Sequence, residues 1–197
     1  MRYFLVAGAI LTGVALGWSA AGKTTAAAEP TETVLFDGKS LDQFTTLGDA
    51  KWSLKDGYME ATNGGMSFLV SKGIYADFDL KLDFWVSPDA NSGVFIRCQD
   101  ASHITDTNCY EVNIFDQRPD QTYRTGAITH IAAPRVKIDT GNRWSSYEII
   151  AKGGHLVVKL DGKVTVDVED GTHAMGRIAL QYGNGTIRFR NIRLTSE

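Results

Sequence analysis

Eight residues carry the side chains best suited to chemistry: Asp83, Trp85, Asn91, Arg97, Glu111, Asn113, Asp116 and Gln181. Carboxylates, amides and a guanidinium exchange hydrogen bonds with sugar hydroxyls, and an indole face stacks on a sugar ring. Two carboxylates flanking a scissile bond form the acid/base pair of glycosidases, and their separation sets the stereochemical outcome. Asp83 and Glu111 are the sequence's candidates for such a pair. Each residue also has a structural reading: Arg97 can clamp a strand end to a loop, Trp85 can sit under a covering loop, and a carboxylate can serve packing alone.

The elements that must position these residues are strands. From Val34 onward almost nothing has helical period; short alternating runs are separated by Asp37-Gly38, Asp56-Gly57, Asn63-Gly64-Gly65, Asp161-Gly162 and Gly183-Asn184-Gly185. These place Gly or Asn where tight hairpins need positive φ. In residues 77–87, Phe78, Leu80, Leu82, Phe84 and Val86 fall on one face, and Asp83 and Trp85 on the other, a strict period of two. Residues 91–98 and 109–115 read as an antiparallel pair. With Cys98 opposite Cys109, Phe95 is expected opposite Val112 and Ile96 opposite Glu111. Phe95, Val112 and Ile114 would then be core, while Glu111 and Asn113 would share the other face with Val94 and Ile96. Residues 155–160 and 163–168 read as a hairpin around Asp161-Gly162. In 187–194 the apolar spacing slips once at Asn191, as at a bulge. The pattern predicts one all-β domain, a two-sheet antiparallel jelly-roll sandwich over residues 34–197, after a mobile leader at 29–33.

Residues 1–28 read as an address. Met1-Arg2 is a short positive segment, Phe4 to Trp18 is apolar or small without acid, and Ala26-Ala27-Ala28 precedes Glu29-Pro30. That order is a secretory signal peptide; an uncleaved anchor is the alternative, since the stretch approaches bilayer-spanning length. Without Arg2 and Lys23, 18 basic residues face 23 acidic ones, a net charge of −5. Such a chain has no electrostatic footprint for nucleic acid. In an oxidising compartment Cys98 and Cys109 can form a disulfide, which would stabilise by about 2.5–3 kcal/mol on the chain-entropy account; two free thiols are the alternative.

Several chemistries lack their motifs. There is no Gly-x-Ser-x-Gly elbow, Walker loop, dinucleotide fingerprint or His-Glu-x-x-His. The cysteines lack zinc spacing, and His103, His130, His155 and His173 are scattered. Neither a metal nor a cofactor is expected.

Longer strings carry a resemblance. Val34-Leu35-Phe36-Asp37-Gly38-Lys39-Ser40-Leu41, Tyr75-Ala76-Asp77-Phe78-Asp79-Leu80, Ala90-Asn91-Ser92-Gly93-Val94-Phe95-Ile96-Arg97 and Tyr110-Glu111-Val112-Asn113-Ile114-Phe115-Asp116 occur in that order. Thr125-Gly126-Ala127-Ile128, Trp144, Ile178-Ala179-Leu180-Gln181 and Phe189-Arg190-Asn191-Ile192 continue the series. Together they resemble the 3-keto-disaccharide hydrolase domain family over nearly all of residues 34–194. The resemblance implies a concanavalin A/laminarinase-like jelly roll, export, a carbohydrate ligand, and hydrolysis or elimination at glycosides oxidised to a 3-keto sugar. The keto group acidifies the neighbouring C2–H, so a base, donors for the developing enolate and an acid for the leaving oxygen are needed. On that resemblance Glu111 is the expected base or acid and Arg97 the enolate or hydroxyl donor. Asn113, Asp116 and Gln181 would orient the sugar, with Asn91, Asp83 and Trp85 as further contacts. Family members often carry a His two residues after the Leu-Gln; here that position is Gly183, and Asn113 stands where Gln is more usual. A non-catalytic, lectin-like module of the same fold is the alternative implied by that departure.

Overall fold

The computed structural model describes residues 29–196 together with Met1 and Tyr3. The expected signal peptide therefore lies outside the described residues. Among these, no helix is long and apolar enough to cross a membrane.

The described chain is built of strands with a single 3-10 turn at Gln121–Tyr123. In chain order the strands are β1 (Thr31–Phe36), β2 (Phe44–Leu47), β3 (Trp52–Leu54), β4 (Met59–Ala61), β5 (Ser67–Ser71), β6 (Phe78–Val86) and β7 (Ser92–Cys98). Then follow β8 (Tyr110–Ile114), β9 (Trp144–Lys152), β10 (His155–Leu160), β11 (Lys163–Glu169), β12 (Arg177–Tyr182) and β13 (Ile187–Ser196). They form two antiparallel sheets. The larger runs β11-β10-β9-β6-β13-β4-β3, with β1 also paired to β13; the smaller runs β2-β5-β12-β7-β8. This is the two-sheet jelly-roll sandwich that the alternation predicts.

The period of two explains the layering. Phe78, Leu80, Leu82, Phe84 and Val86 of β6 join Phe189 and Leu194 of β13 on the inner side of the larger sheet. Val94, Ile96, Val112, Ile114, Ile178 and Leu180 meet them from the smaller sheet, all at 0% exposure. Residues of opposite parity on each strand face outward, and those outward faces carry the polar candidates. Asp161-Gly162 turns the β10–β11 hairpin with φ of 50° and 75°, the doubly left-handed geometry of a type I′ turn. The slip at Asn191 is a bulge: its φ is 53°, and the β13–β6 register shifts between Arg190 and Arg193.

Two expectations need correction. The segment taken as a mobile leader is partly strand: Thr31, Glu32 and Thr33 pair with Ser196, Thr195 and Leu194 of β13. An edge of β13 was waiting for them, which composition alone does not reveal. The β7–β8 register also differs by one residue, since Phe95 pairs with Glu111, Val94 with Val112 and Ile96 with Tyr110. The cause is Arg97, whose φ of 53° puts an extra residue into β7 just before Cys98. Cys98 and Cys109 do meet as a disulfide, but the ladder counted from them is out of step below the bulge. Val94 and Ile96 therefore point into the core, and Phe95 points outward beside Glu111.

Candidate functional site

The site is built on the outer face of the smaller sheet. Phe68 and Val70 of β5, Ala179 and Gln181 of β12, Phe95 of β7 and Glu111 of β8 share that face, as the registers Val70–Ala179–Phe95–Glu111 and Phe68–Gln181 require. Phe68 and Phe95 pack edge to face at 5.3 Å. The disulfide-closed loop 99–108 folds over the middle of this face and seats Ile104 on Phe68, Phe95 and Ala179, forming a second apolar cluster. Hydrogen bonds inside the loop fix its shape: Thr105 N–H donates to Asn108 Oδ1 at 3.1 Å, and Ser102 N–H to Asp100 Oδ1 at 2.8 Å.

Between the loop and the strands lies a recess of about 230 Å³. Phe68, Phe95 and Ile104 give it an apolar side; Glu111, Gln181 and Asp106 give it a polar one. Glu111 is 6% exposed and has no ion-pair partner among the described residues. Burial pushes its carboxyl above the usual range, the Asp106 charge adds to this, and the Thr129 hydroxyl, Arg118 and His130 oppose it. Gly93 makes the placement fit. A Cβ there would come within 3.1 Å of Glu111 Oε1 and 3.2 Å of Phe95 Cε2, so the missing side chain leaves the glutamate room over β7. Gln181 Oε1 is buried without a hydrogen-bond partner in the protein, and the buried Thr129 hydroxyl lies beside the Glu111 carboxyl. An unpaired buried polar atom is costly, so the Gln181 oxygen is ready to meet a donor. At the rim, His130 Nε2 lies 3.1 Å from Asp106 Oδ2 and edge-on to Tyr123.

Of the sequence candidates, the structure brings Glu111 and Gln181 together and disperses the rest. Arg97 is fully buried at the far end of β7. Its Nε donates to Ala76 O at 2.9 Å, Nη1 to Gly153 O at 2.7 Å and His173 O at 3.0 Å, and Nη2 to Asp77 Oδ1 at 3.1 Å. The bulge that shifts the register also turns this side chain away from Glu111. Asp83 and Trp85 sit on the outside of the other sheet, across the sandwich. Asp83 accepts from Arg190 Nε and Asn191 Nδ2 at 3.1 and 2.8 Å, and the Arg188 guanidinium covers the Trp85 ring at 4.2 Å. Asp116 staples two loops, accepting from Thr125 Oγ1, Thr140 N–H and Gly141 N–H. Asn113 shares the outer face but is fully buried under the 116–130 loop, its Nδ2 donating to Tyr123 O. Asn91 binds the β12–β13 turn through its backbone, and a Cβ on Gly183 would meet Asn91 O at 2.8 Å. A histidine at 183 would need that turn to move.

Thr129, Asp106, His130, Phe68 and Gly93 were not among the sequence candidates. Thr129 reaches the site because residues 126–129 add to the β8 edge, with Thr129 N–H donating to Glu111 O at 3.0 Å; no local pattern announces such a strand extension. Among the described residues no cluster of three or more His, Cys, Asp or Glu is gathered for a metal.

A jelly roll whose smaller sheet carries a buried carboxylate in an outward recess defines the class. The profile of the 3-keto-alpha-glucoside-1,2-lyase-like domain matches residues 31–195, and the chain belongs to that family. No curated protein matches significantly. Among solved structures, one candidate glycosyl hydrolase from Parabacteroides distasonis superposes with a TM-score of 0.75 at 18% identity, covering 84% of this chain and 94% of its own. A second from the same organism gives 0.70 at 25% identity, covering 85% and 100%. The carbohydrate binding module CBM66 from Bacillus subtilis gives 0.62 at 20% identity, covering 77% and 94%.

Proposed function

We propose that this protein is exported and acts on glycosides, cleaving those oxidised to a 3-keto sugar, at the recess around Glu111. The observation that carries the reading is a buried carboxyl with a raised pKa and no ion-pair partner, beside an unpaired amide oxygen and a threonine hydroxyl. A base poised nearer neutrality is better matched to proton abstraction than an exposed glutamate. Glu111 takes the C2 proton of the keto sugar, and the electrons move onto the C3 oxygen. As the C1–O bond breaks, the leaving oxygen needs a proton. His130, paired with Asp106 at the rim, is the acid that this geometry offers in place of the residue missing at Gly183. Gln181 and Thr129 meet sugar hydroxyls or the enolate, the role that Arg97 is too remote to fill. The family membership and the two Parabacteroides structures support a cleaving function; the apolar-to-N-terminal leader and the disulfide support export.

A second reading is a glycan-binding module of the same fold. It is favoured by Gly183, where Asn91 leaves no space for the side chain often found in relatives, and by the likeness to the carbohydrate binding module. Kinetics on 3-keto-trehalose separate the two. Cleavage is expected from the unmodified protein, with a loss of at least a hundredfold in Glu111→Gln and little change in Asp83→Asn. Sugar binding without any product selects the module.

A further inference from the structure

A larger recess, about 440 Å³, lies on the same outer face, on the other side of the disulfide-closed loop. Thr45 and Leu47 of β2 and Val70 of β5 line it, and Ala101 and Ser102 form its wall. The same loop turns Ile104, Thr105 and Asp106 toward the Glu111 recess, so one loop divides the face into two compartments. Val70, Ala179, Phe95 and Glu111 form a continuous cross-strand row, which sets the compartments about three strand spacings, or about 14 Å, apart.

The charge in the second recess has one sign. Lys72 and Arg177 are its charged lining residues. Arg177 is held in place, its Nη1 donating to Ser71 O at 2.7 Å and Lys72 O at 2.5 Å. That leaves the N–H groups on Nε and Nη2 without a protein acceptor among the described residues. Lys72 Nζ likewise has no acid partner there. Asp100, the acid next to the wall, is already committed to Ser102, accepting from its N–H at 2.8 Å and its hydroxyl at 2.7 Å. A guanidinium fixed by backbone carbonyls, with unused donors facing a recess, is preorganised for a planar carboxylate. Thr45 adds a hydroxyl for a ring, and Leu47 and Val70 add an apolar wall.

We propose that this recess is a second sugar subsite, selective for a ring that bears a carboxylate, so that the face takes acidic glycosides with a uronic acid residue. The proposal rests on the reading of this face as a carbohydrate site. The test titrates the isotope-labelled protein with methyl β-glucuronoside, methyl β-glucoside and inorganic sulfate, following backbone amides by NMR. The glucuronoside is expected to shift Thr45, Thr46, Leu47, Lys72 and Ser102, to bind at least fivefold tighter than the glucoside, and to lose several-fold in affinity in the exposed-site variant Lys72→Gln. The affinity is read from these shifts alone, so absent turnover at the other recess leaves this result intact. Equal affinity for the two glycosides overturns the proposal. So does sulfate binding as tightly as the glucuronoside, since the ring would then contribute nothing, or an unaltered affinity in Lys72→Gln.

Discussion

A glutamate buried on an outward sheet face, with no cation paired to it, holds its proton more tightly when folded than when unfolded. Its folded pKa is raised, so its contribution to stability is fully present below the ordinary glutamate range, near about 4.3. That contribution is lost as pH rises through the raised folded value. Glu111→Gln removes the buried charge, and its melting temperature is expected to exceed that of the unmodified protein by a few degrees at pH 8. The gain should vanish at pH 4, where both side chains are neutral. Thermal melts at the two pH values check this, and an equal difference at both would mean an ordinary carboxyl. The place of Glu111 on the strand face opposite to Val112 and Ile114 was legible from alternation. Its neighbours were not, because Thr129 and Asp106 arrive from loops that no periodicity describes.

The bulge at Arg97 shows how one residue redirects a strand and a functional expectation together. Alternation located β7 and β8 within a residue or two, and the cysteine pair held. A left-handed residue between Ile96 and Cys98 nevertheless moved Phe95 from the expected core to the outer face and drew the guanidinium toward Ala76, Gly153 and His173. Nothing in the string Phe95-Ile96-Arg97-Cys98 signals this, since arginine has no special preference for positive φ. Arg97 is thus expected to act on stability. Arg97→Lys leaves at least one buried carbonyl without its donor, at about 1–3 kcal/mol each. Its melting temperature should fall by roughly 2–12 °C, at about 2–4 °C per kcal/mol for a domain of this size, while the kcat of the folded fraction stays near that of the unmodified protein. A hundredfold lower kcat with an unchanged melt would restore Arg97 to the chemistry.

At the scale of the whole molecule, the two outer faces of the sandwich differ in make-up. On the larger sheet's outer side Arg188 lies over Trp85 and Arg190 over Trp144, Asp83 and Glu60 pair with these arginines, and a recess of about 340 Å³ opens beside Asp83, Ser146 and Glu148. The smaller sheet's outer side carries the Glu111 recess and the larger one beside Arg177. Sequence alternation could assign Asp83, Trp85 and Glu111 to outward faces, yet it could not tell which sheet each strand joins, because that depends on pairings between residues a hundred positions apart. If Glu111 abstracts the proton next to the keto group, hydrogen exchange reads that step without the leaving group. The protein is incubated in D2O with methyl 3-keto-α-glucoside, and the C2–H signal is followed by NMR. Loss of that signal is expected with the unmodified protein, falling to background in Glu111→Gln, as proton abstraction by Glu111 requires. Exchange or cleavage that proceeds equally fast in Glu111→Gln would contradict it.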